Sequence, residues 1–511
     1  MRQKLKKYDL SLTVNSDGSP LFKSSKYSIW PVQVTVNELP PHIHSKHVFT
    51  TQLWYGQSHP EMGLLMGSFV QEMEDLMQGG ITWTDGTTFI SSQVHPFRCS
   101  ADAPARAIMQ NMRQFNGRFG CGWCLHPGTI VEGTIKYTID EPVPDRTMEE
   151  TINAMKTAAR TGTIVQGIKG PTPLINMPHF DIIWGFTPDY MHCVLLGVAR
   201  QFTELWLSSV GQPYYIGRPA LLSAVDKRLC NIKPPLCFRL QRTLSLRKYW
   251  KATEWQLWLL WFSLPCLDGI LPTEYLKHFI LLIKGVSLLL MDNVSSTDVS
   301  ESASLLVKFV VGVQFLYGEK EMTFNVHQLL HLPKSVVLQG PLWSHSCFVF
   351  ESNIGHVKEL VTSAKGVPIQ IVERLLMASS FASLKASALP QTREFLTKGN
   401  GAKCGAVVSM IGKPRKALQP VLNLVMNHIG CMTIGPIVEH DKVAVSRYVF
   451  HSKQYKRPNK TDCTAAMLPS GACVTISHIL GFKDIAGKER VFAVCKKFDT
   501  CQTEAPYIHK A

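Results

Sequence analysis

Two cysteines and two histidines of this chain have the residue types and spacing of metal ligands. Cys121 and Cys124 form a CxxC pair, and His327 and His331 lie four residues apart, which places both imidazoles on one face of a helix. Two thiolates and two imidazoles are a usual tetrahedral ligand set for Zn²⁺. Because His327 lies 203 residues after Cys124, the four residues can bind one ion only if the fold brings the two pairs together.

A CxxC pair also occurs in thiol–disulfide oxidoreductases. The sequence around Cys121 and Cys124 lacks the βαβ pattern of a thioredoxin-like domain, and a redox pair would leave the two histidines unexplained. The residues therefore favour a structural zinc site, with a redox pair as the alternative.

Three acidic residues lie where predicted strands or helices begin or end. Carboxylates at such positions can hold two Mg²⁺ ions about 4 Å apart for phosphodiester cleavage. The three are Asp17, Asp102 and Glu351. Each also has an ordinary structural explanation: an Asp-Gly hairpin turn for Asp17, a helix N-cap for Asp102, and a first-turn partner of the helix dipole for Glu351.

The order and spacing of these two sets resemble those of the CACTA-type cut-and-paste transposases and, more distantly, of the catalytic subunit of the V(D)J recombinase. In that superfamily a large helical insertion interrupts an RNase H-like core between the second Asp and the final Glu. A CxxC pair follows the second Asp, and a histidine pair precedes the Glu. Here Cys121 falls 19 residues after Asp102, and Glu351 falls 20 residues after His331. The resemblance covers most of the chain.

The resemblance implies a DDE transposase that cleaves DNA strands and joins them to a target. Asp17 and Asp102 would hold a shared Mg²⁺ or Mn²⁺ ion, and Glu351 would complete a second site. One structural zinc on the cysteine and histidine pairs would clamp the entry of the insertion to its exit. The family's Asp-x-x-His element matches Asp189 and His192, to which we assign an auxiliary role in structure or DNA positioning.

The resemblance also implies DNA as the partner, as transposon ends and target, together with a homo-oligomer when active and a location in the nucleus. Lys358, two helical turns after Glu351, is a candidate contact for a DNA phosphate. Only sixteen residues precede Asp17, whereas related transposases usually carry a DNA-binding region ahead of the nuclease, so recognition of specific DNA ends is not implied. The alternative is a domesticated, non-catalytic DNA-binding protein, against which the intact acidic triad argues.

The composition agrees with a polyanionic partner. The chain has 53 Lys and Arg against 38 Asp and Glu, a formal charge of +15, which favours binding to phosphates through counterion release. The first ten residues lack the apolar segment of a signal sequence, so we expect an intracellular protein without membrane attachment. The longest apolar runs, residues 255–264 and 279–291, carry polar interruptions and predict buried helices. The 14 cysteines are expected to be thiols or metal ligands.

The sequence patterns predict a mixed α/β fold. Residues 1–127 are expected to form the first part of the RNase H-like core, with strands, a helix near residues 60–78, and a strand leading to Asp102. Residues 128–320 are expected to form an all-helical insertion. Residues 321–398 are expected to complete the core, with a helix from Glu351 to about Lys365. Residues 399–511 predict a small β-rich domain.

The sequence also suggests roles for a set of tryptophans and for the basic residues of the C-terminal domain. Four tryptophans spaced along one helical face predict core packing rather than base stacking: Trp250, Trp255, Trp258 and Trp261. The β-rich domain is interpreted as a packing module, with DNA contact as the alternative through Lys413, Arg415, Lys416, Lys453, Lys456 and Arg457.

Overall fold

Strands and helices are mixed along the chain, as the sequence predicts. The computed structural model describes residues 5–22, 26–44, 46–235, 238, 241–397, 408–429, 433–445, 448–455, 461–468, 470, 472–484 and 488–498. The chain divides into two units. Residues 1–225 and 250–384 form the first, and residues 226–249 and 385–511 form the second.

A mixed sheet is the centre of the first unit. Its strands are β1 (Leu10–Ser16), β2 (Ser28–Val36), β3 (Val48–Gly56), β4 (Val94–Ser100) and β5 (Phe186–Thr187), in the spatial order β5-β4-β1-β2-β3. The pairs β1/β2 and β2/β3 are antiparallel, whereas β1/β4 and β4/β5 are parallel. The carboxyl ends of β1 and β4 therefore meet at the same edge of the sheet.

The two faces of β1 differ in chemistry although both are buried. Leu12 and Val14 belong to the main apolar core together with Phe69 of helix Met62–Gly79. Thr13 and Asn15 point to the opposite face, where they are buried and hydrogen-bonded. Strand alternation thus gives the sheet one apolar face and one buried polar face.

The helices of the first unit follow the predicted periodicity in most places. They are Pro41–His44, Met62–Gly79, Ala103–Met109, Met148–Thr161, Arg200–Ser208, Ala252–Leu257, Ser263–Leu267, Thr273–Leu289, Ser296–Tyr317, Phe324–Gln328, Leu332–Gln339 and Phe348–Glu359, with Pro219–Asn231 and Val367–Ser387 running across the boundaries of the units. Met191–Ala199 and Trp258–Phe262 are π-helical, and Pro173–Asn176, Glu319–Glu321, Leu329–His331 and Leu342–His345 are 3₁₀ turns.

The expectation that residues 128–320 are all helical is wrong in two places. A hairpin pairs Thr129–Val131 with Thr134–Lys136, and β5 adds a strand to the central sheet. In the hairpin, Glu132 and Gly133 both have positive φ, 48° and 75°, as a tight two-residue hairpin turn requires. The β-branched residues on either side favour strands, but helical periodicity elsewhere in the segment concealed so short a signal.

Three of the four tryptophans are buried as predicted, but Trp261 is 44% exposed. The π-helical turn Trp258–Phe262 is wider than an α-helical turn, so it rotates Trp261 off the buried face. The apolar runs at 255–264 and 279–291 lie in or overlap helices with many buried residues, as expected.

Two helices have the length and apolar composition that could cross a membrane, namely Ser296–Tyr317 and Val367–Ser387. Core helices of soluble proteins meet the same criteria, so this is weak evidence. Ser296–Tyr317 packs closely on Thr273–Leu289, where a Cβ on Gly285 would lie 2.9 Å from Leu306.

The second unit is rich in β-strands, as predicted. One sheet has the order Val408–Ile411, Lys442–Val445, Tyr448–His451. The other contains Arg415–Lys416, Thr433–His440, Cys473–Asp484, Ala465–Met467 and Glu489–Lys497. The second unit also contains the helices Pro390–Thr397 and Gln419–Ile429 and the 3₁₀ turn Leu244–Tyr249. In the first unit, a separate small sheet pairs strands Ile81–Thr84 and Phe89–Ser92. Strands Lys442–Val445 and Tyr448–His451 form an antiparallel pair. Lys456 and Arg457 lie outside the described residues.

Candidate functional site

Asp17 lies at a break in the first strand. Asp17 and Gly18 separate β1 from Ser19–Pro20, which pairs with the same neighbour, so the chain continues straight on. The alternative of a hairpin turn at Asp17 is therefore wrong. The facing part of β2 contains Pro31, which has no N–H to donate, and a Cβ at Gly18 would meet the ring of Trp30 at 2.3 Å.

Asp102 follows β4 at the level at which Asp17 follows β1. Val14 pairs with Cys99 in the parallel ladder, and each acid comes three residues later. Asp102 is also the N-cap of helix Ala103–Met109, with Oδ1 accepting a hydrogen bond from the Ala105 N–H at 2.7 Å. The structural explanation for Asp102 is thus confirmed, and it fixes the carboxylate at the sheet edge.

Glu351 lies in the first turn of helix Phe348–Glu359, as predicted. The helix ends six residues before the expected Lys365, and Gly366, with φ 63°, precedes the next helix. Pro368 occupies the first turn of that helix, where its missing N–H is tolerated. Gly366 and Pro368 thus mark the start of a new helix rather than the end of the Glu351 helix.

The three predicted acids converge. The charges of Asp102 and Glu351 act directly on Asp17, and Asp17 and Glu351 interact with each other. Burial raises the pKa of Asp17, and the two neighbouring carboxylates raise it further, to about 7. Burial likewise raises the pKa of Glu351, although the charge of His192 opposes this. A cluster of mutually repelling, partly buried carboxylates favours a bound cation.

Asp189 and His192 lie beside the triad and contact each other. Asp189 is buried, and its Oδ2 accepts hydrogen bonds from Nδ1 of His192 at 2.7 Å and from its backbone N–H at 2.9 Å. On the other side of the ring, Nε2 of His192 lies 3.9 Å from Oε1 of Glu351. Burial lowers the pKa of His192, but the bond to Asp189 and the surrounding carboxylates outweigh it and raise the pKa to about 9. His192 is thus a cation among carboxylates.

Asp189 also joins two helix starts. Its Oδ1 accepts from the backbone N–H of Cys347 at 2.8 Å and from the Ser346 hydroxyl at 3.2 Å, directly before the Glu351 helix. Together with His192, Asp189 and Cys347 have ligand atoms close enough to hold a metal ion. Because hydrogen bonds already account for the contacts of Asp189, we interpret this group as a positioning device for Glu351.

A chain of three amides, two of them buried, connects the elements that carry the three acids and was missed by the sequence analysis. Asn15 donates from Nδ2 to the carbonyl of Ser100 at 2.8 Å, and its Oδ1 accepts from Gln33 at 3.1 Å. Gln33 in turn accepts from Nδ2 of Asn353 at 2.7 Å. Asn15, Ser100 and Asn353 each lie two residues from one of the acids.

Arg98 is a second positioning residue that the sequence analysis missed. It is 6% exposed and donates to Thr13 Oγ1 at 2.6 Å, and to the carbonyls of Gln339 and Ser344 at 2.7 Å each. These bonds join β1 and β4 to the segment before Glu351. Burial lowers its pKa to about 10. The sequence signal that could have revealed this role is a single arginine within an otherwise strand-like run.

Lys358 donates to the Ser19 hydroxyl at 3.2 Å, just beyond Asp17. The predicted contact residue therefore lies next to the acidic cluster. A cleft of about 590 Å³ opens on another side, lined in part by Asp102, His192, Lys136 and two phenylalanines. The phenylalanines, Phe115 and Phe324, stack with ring centroids 5.7 Å apart.

The predicted cysteine and histidine pairs meet in a single buried cluster. Cys121 Sγ lies 3.4 Å from His331 Nε2, Cys124 Sγ lies 3.3 Å from His327 Nε2, and the two Nε2 atoms are 3.2 Å apart. All four side chains are buried, and this set can hold a metal ion. None of the described cysteines forms a disulfide.

Two buried arginines support this cluster. Arg146 donates to the carbonyl oxygens of Cys121, Phe119 and Gln166. These bonds fix the loop that carries Cys121 and Cys124. Arg106 lies over the ring of Trp123 at 4.1 Å, near Cys121. Their positive charges favour ionised thiolates, which are the form that binds metals.

Trp123 couples the cluster to the central sheet. Its indole N–H donates to the carbonyl of Phe186 in β5 at 2.9 Å, and its ring lies 5.4 Å from that of His331. These contacts hold together the loop of Cys121 and Cys124, the segment that contains His327 and His331, and the edge strand β5.

Comparison with known proteins gives no family for this chain, because no family model matches it and no curated protein shows significant similarity.

Proposed function

We propose that this chain is a DDE-type DNA transposase, a metal-dependent nuclease and strand transferase with an RNase H-like core. The observation that carries the proposal is the convergence of Asp17, Asp102 and Glu351 from two neighbouring parallel strand ends and one helix. Carboxylates in this arrangement suit the hard oxygen-binding ions Mg²⁺ and Mn²⁺.

Asp17, Asp102 and Glu351 would hold two such ions. When bound, two metal ions stabilise charge on the scissile phosphate and activate the attacking oxygen. In the first step a water oxygen bonds to phosphorus and the bond to the 3′ oxygen breaks, which leaves a 3′-hydroxyl and a 5′-phosphate. In the second step that hydroxyl attacks another phosphodiester and displaces its 3′ oxygen.

The neighbouring residues would orient the acids and the DNA. Asp189 holds His192, and the imidazolium lies against Glu351, so the carboxylate is directed into the cluster. Lys358, beside Ser19, would contact a backbone phosphate. The cleft next to Asp102, with its aromatic wall and Lys136, offers room for a DNA strand.

We further propose that the cysteine and histidine cluster binds one structural zinc. In tetrahedral zinc sites, metal–ligand distances of about 2.0–2.3 Å separate the ligand atoms by about 3.3–3.8 Å. The separations of 3.2–3.4 Å measured between the Cys and His ligand atoms fit this geometry. The zinc would clamp the loop after Asp102 to the helix that precedes Glu351.

Metal-dependent nicking of supercoiled DNA tests the nuclease proposal. The Asp102→Asn variant removes the charge but keeps an oxygen that can cap the helix, so the fold is retained. We expect Mg²⁺- or Mn²⁺-dependent nicking by the wild type and a loss of at least about 100-fold in this variant.

Asp75→Asn is the matched control, because Asp75 is an exposed acid on helix Met62–Gly79. It should nick at the wild-type rate. A wild type that binds DNA but never nicks it would favour the non-catalytic alternative. Equal nicking by the Asp102→Asn variant would exclude the triad as the catalytic centre.

A further inference from the structure

A small cavity in the second unit has a polar lining. It measures about 170 Å³ and lies between Lys233 and the loop that follows strand Tyr448–His451. The backbone N–H of Asp462 donates to the carbonyl of Pro234 at 3.2 Å, which ties the two walls together. The volume corresponds to roughly six water molecules, so it suits a small polyatomic ligand.

Two buried polar atoms in this wall lack partners. His451 is 6% exposed and Ser452 is 1% exposed, and both line the cavity. Within the part of the chain that the structure describes, neither His451 Nε2 nor Ser452 Oγ has a hydrogen-bond partner. Buried polar atoms are almost always paired, so a ligand in the cavity is the expected partner.

The charges at the cavity favour an anion. Lys233 and Lys453 contribute two ammonium groups, and Asp462 contributes one carboxylate. That carboxylate is already engaged, because Oδ1 accepts from the N–H and hydroxyl of Thr464 and Oδ2 lies 3.7 Å from Lys453 Nζ. The balance of these three charges is positive, and ammonium groups next to a hydroxyl are suitable donors to an oxyanion.

We propose that this cavity binds one phosphate group, with Lys233, Lys453 and Ser452 as donors and His451 as a further hydrogen-bonding partner. The phosphate belongs either to a small molecule or to a nucleic-acid backbone, since both present the same oxygens. This proposal does not rest on the nuclease function, because all of its residues lie in the second unit.

Calorimetric titration of the full-length chain tests the proposal. The probes are inorganic phosphate and a thymidine oligonucleotide without terminal phosphates, both in chloride buffer. We expect one saturable site per chain for inorganic phosphate. Ser452→Ala removes a hydroxyl that makes no hydrogen bond to the described residues, so it should weaken phosphate binding about tenfold without lowering the unfolding midpoint.

Two charge variants separate an anion site from nonspecific attraction. Lys233→Gln should weaken binding about tenfold, whereas Lys483→Gln, the same change at an exposed lysine of strand Cys473–Asp484, should leave it unchanged. Asp462→Asn removes a repelling charge and should tighten phosphate binding, whereas a cation site would lose its ligand.

The two probes identify the source of the phosphate. Binding of inorganic phosphate alone indicates a small phosphorylated ligand. Competition between inorganic phosphate and the oligonucleotide for the same site indicates a nucleic-acid backbone. Absence of binding by both probes overturns the proposal, and so does equal weakening by the Lys233 and Lys483 variants.

Discussion

The side-chain oxygen of Gln33 accepts a hydrogen bond from Nδ2 of Asn353 at 2.7 Å. Gln33 is fully buried in β2, and Asn353 lies one half-turn after Glu351. This bond fixes the Glu351 helix to the buried polar face of the sheet. Through Asn15, the same chain of amides reaches the carbonyl of Ser100, near Asp102.

Replacing Gln33 with Met should disturb both stability and the acidic cluster. Met has a similar length but cannot pair with Asn15 or Asn353, so one buried and one partly buried amide lose their partner. We expect the free energy of unfolding to fall by about 2 kcal/mol and metal-dependent nicking to slow by about tenfold. The exposed Gln71→Met variant is the control. A normal nicking rate in the folded Gln33→Met protein would show that the amide chain is not needed to position Glu351.

Asp17→Asn should stabilise the protein when no Mg²⁺ is present. The pKa of Asp17 is raised from 3.8 to about 7, so the ionised carboxyl destabilises the folded state increasingly as pH rises through this range, and fully above it. At pH 8 we expect a gain of about 1–3 kcal/mol in the free energy of unfolding, and a smaller gain at pH 5.

All 11 tryptophans lie in the first unit, so the urea dependence of their fluorescence measures this effect in that unit alone. Adding Mg²⁺ should stabilise the wild type but not the variant. A destabilised Asp17→Asn protein at pH 8 would contradict the repulsion among the carboxylates.

Loss of one zinc ligand should remove the metal and weaken the first unit. We expect about one zinc per chain in the wild type and none in the Cys124→Ser and His327→Ala variants, with the free energy of unfolding lower by about 3 kcal/mol or more. Elemental analysis and urea unfolding give the two readouts. Cys193→Ser changes a buried cysteine outside the ligand set and should keep the zinc. A zinc-free wild type with a reducible Cys121–Cys124 disulfide would instead support the redox alternative.

His278 should make the first unit sensitive to acid. It is buried against Phe309, with Nε2 donating to the Phe309 carbonyl at 2.8 Å, and burial lowers its pKa below 6.5. Because the unfolded chain binds the proton more readily, the contribution of His278 to stability is present above pH 6.5 and is lost as pH falls below it.

His278→Gln keeps a donor for the carbonyl but does not titrate. We expect it to lose less stability than the wild type between pH 7 and pH 5, as measured by urea unfolding followed by tryptophan fluorescence. The exposed His356→Gln variant should show the wild-type pH dependence. An unchanged pH dependence in the His278 variant would indicate that another group is responsible.

Local patterns predicted much of the fold. Helix Met62–Gly79 and the alternation in β1 follow directly from apolar spacing. The hairpin at 129–136 and the exposed Trp261 were missed, because a two-residue turn and a single π-helical turn change the course of the chain within a few residues. Signals of that length are smaller than the window over which periodicity can be recognised.

The sequence by itself determined the chemistry of the candidate ligands: two thiols, two imidazoles and three carboxylates. Only the tertiary structure decided that they come together, because the parallel pairing of β1 with β4 brings Asp17 level with Asp102 and the packing of a distant helix brings Glu351 beside them. The supporting residues could not be predicted either. Asn15 and Gln33 have the spacing of solvent-facing strand positions, and their burial depends on a segment more than 300 residues away that covers that face of the sheet.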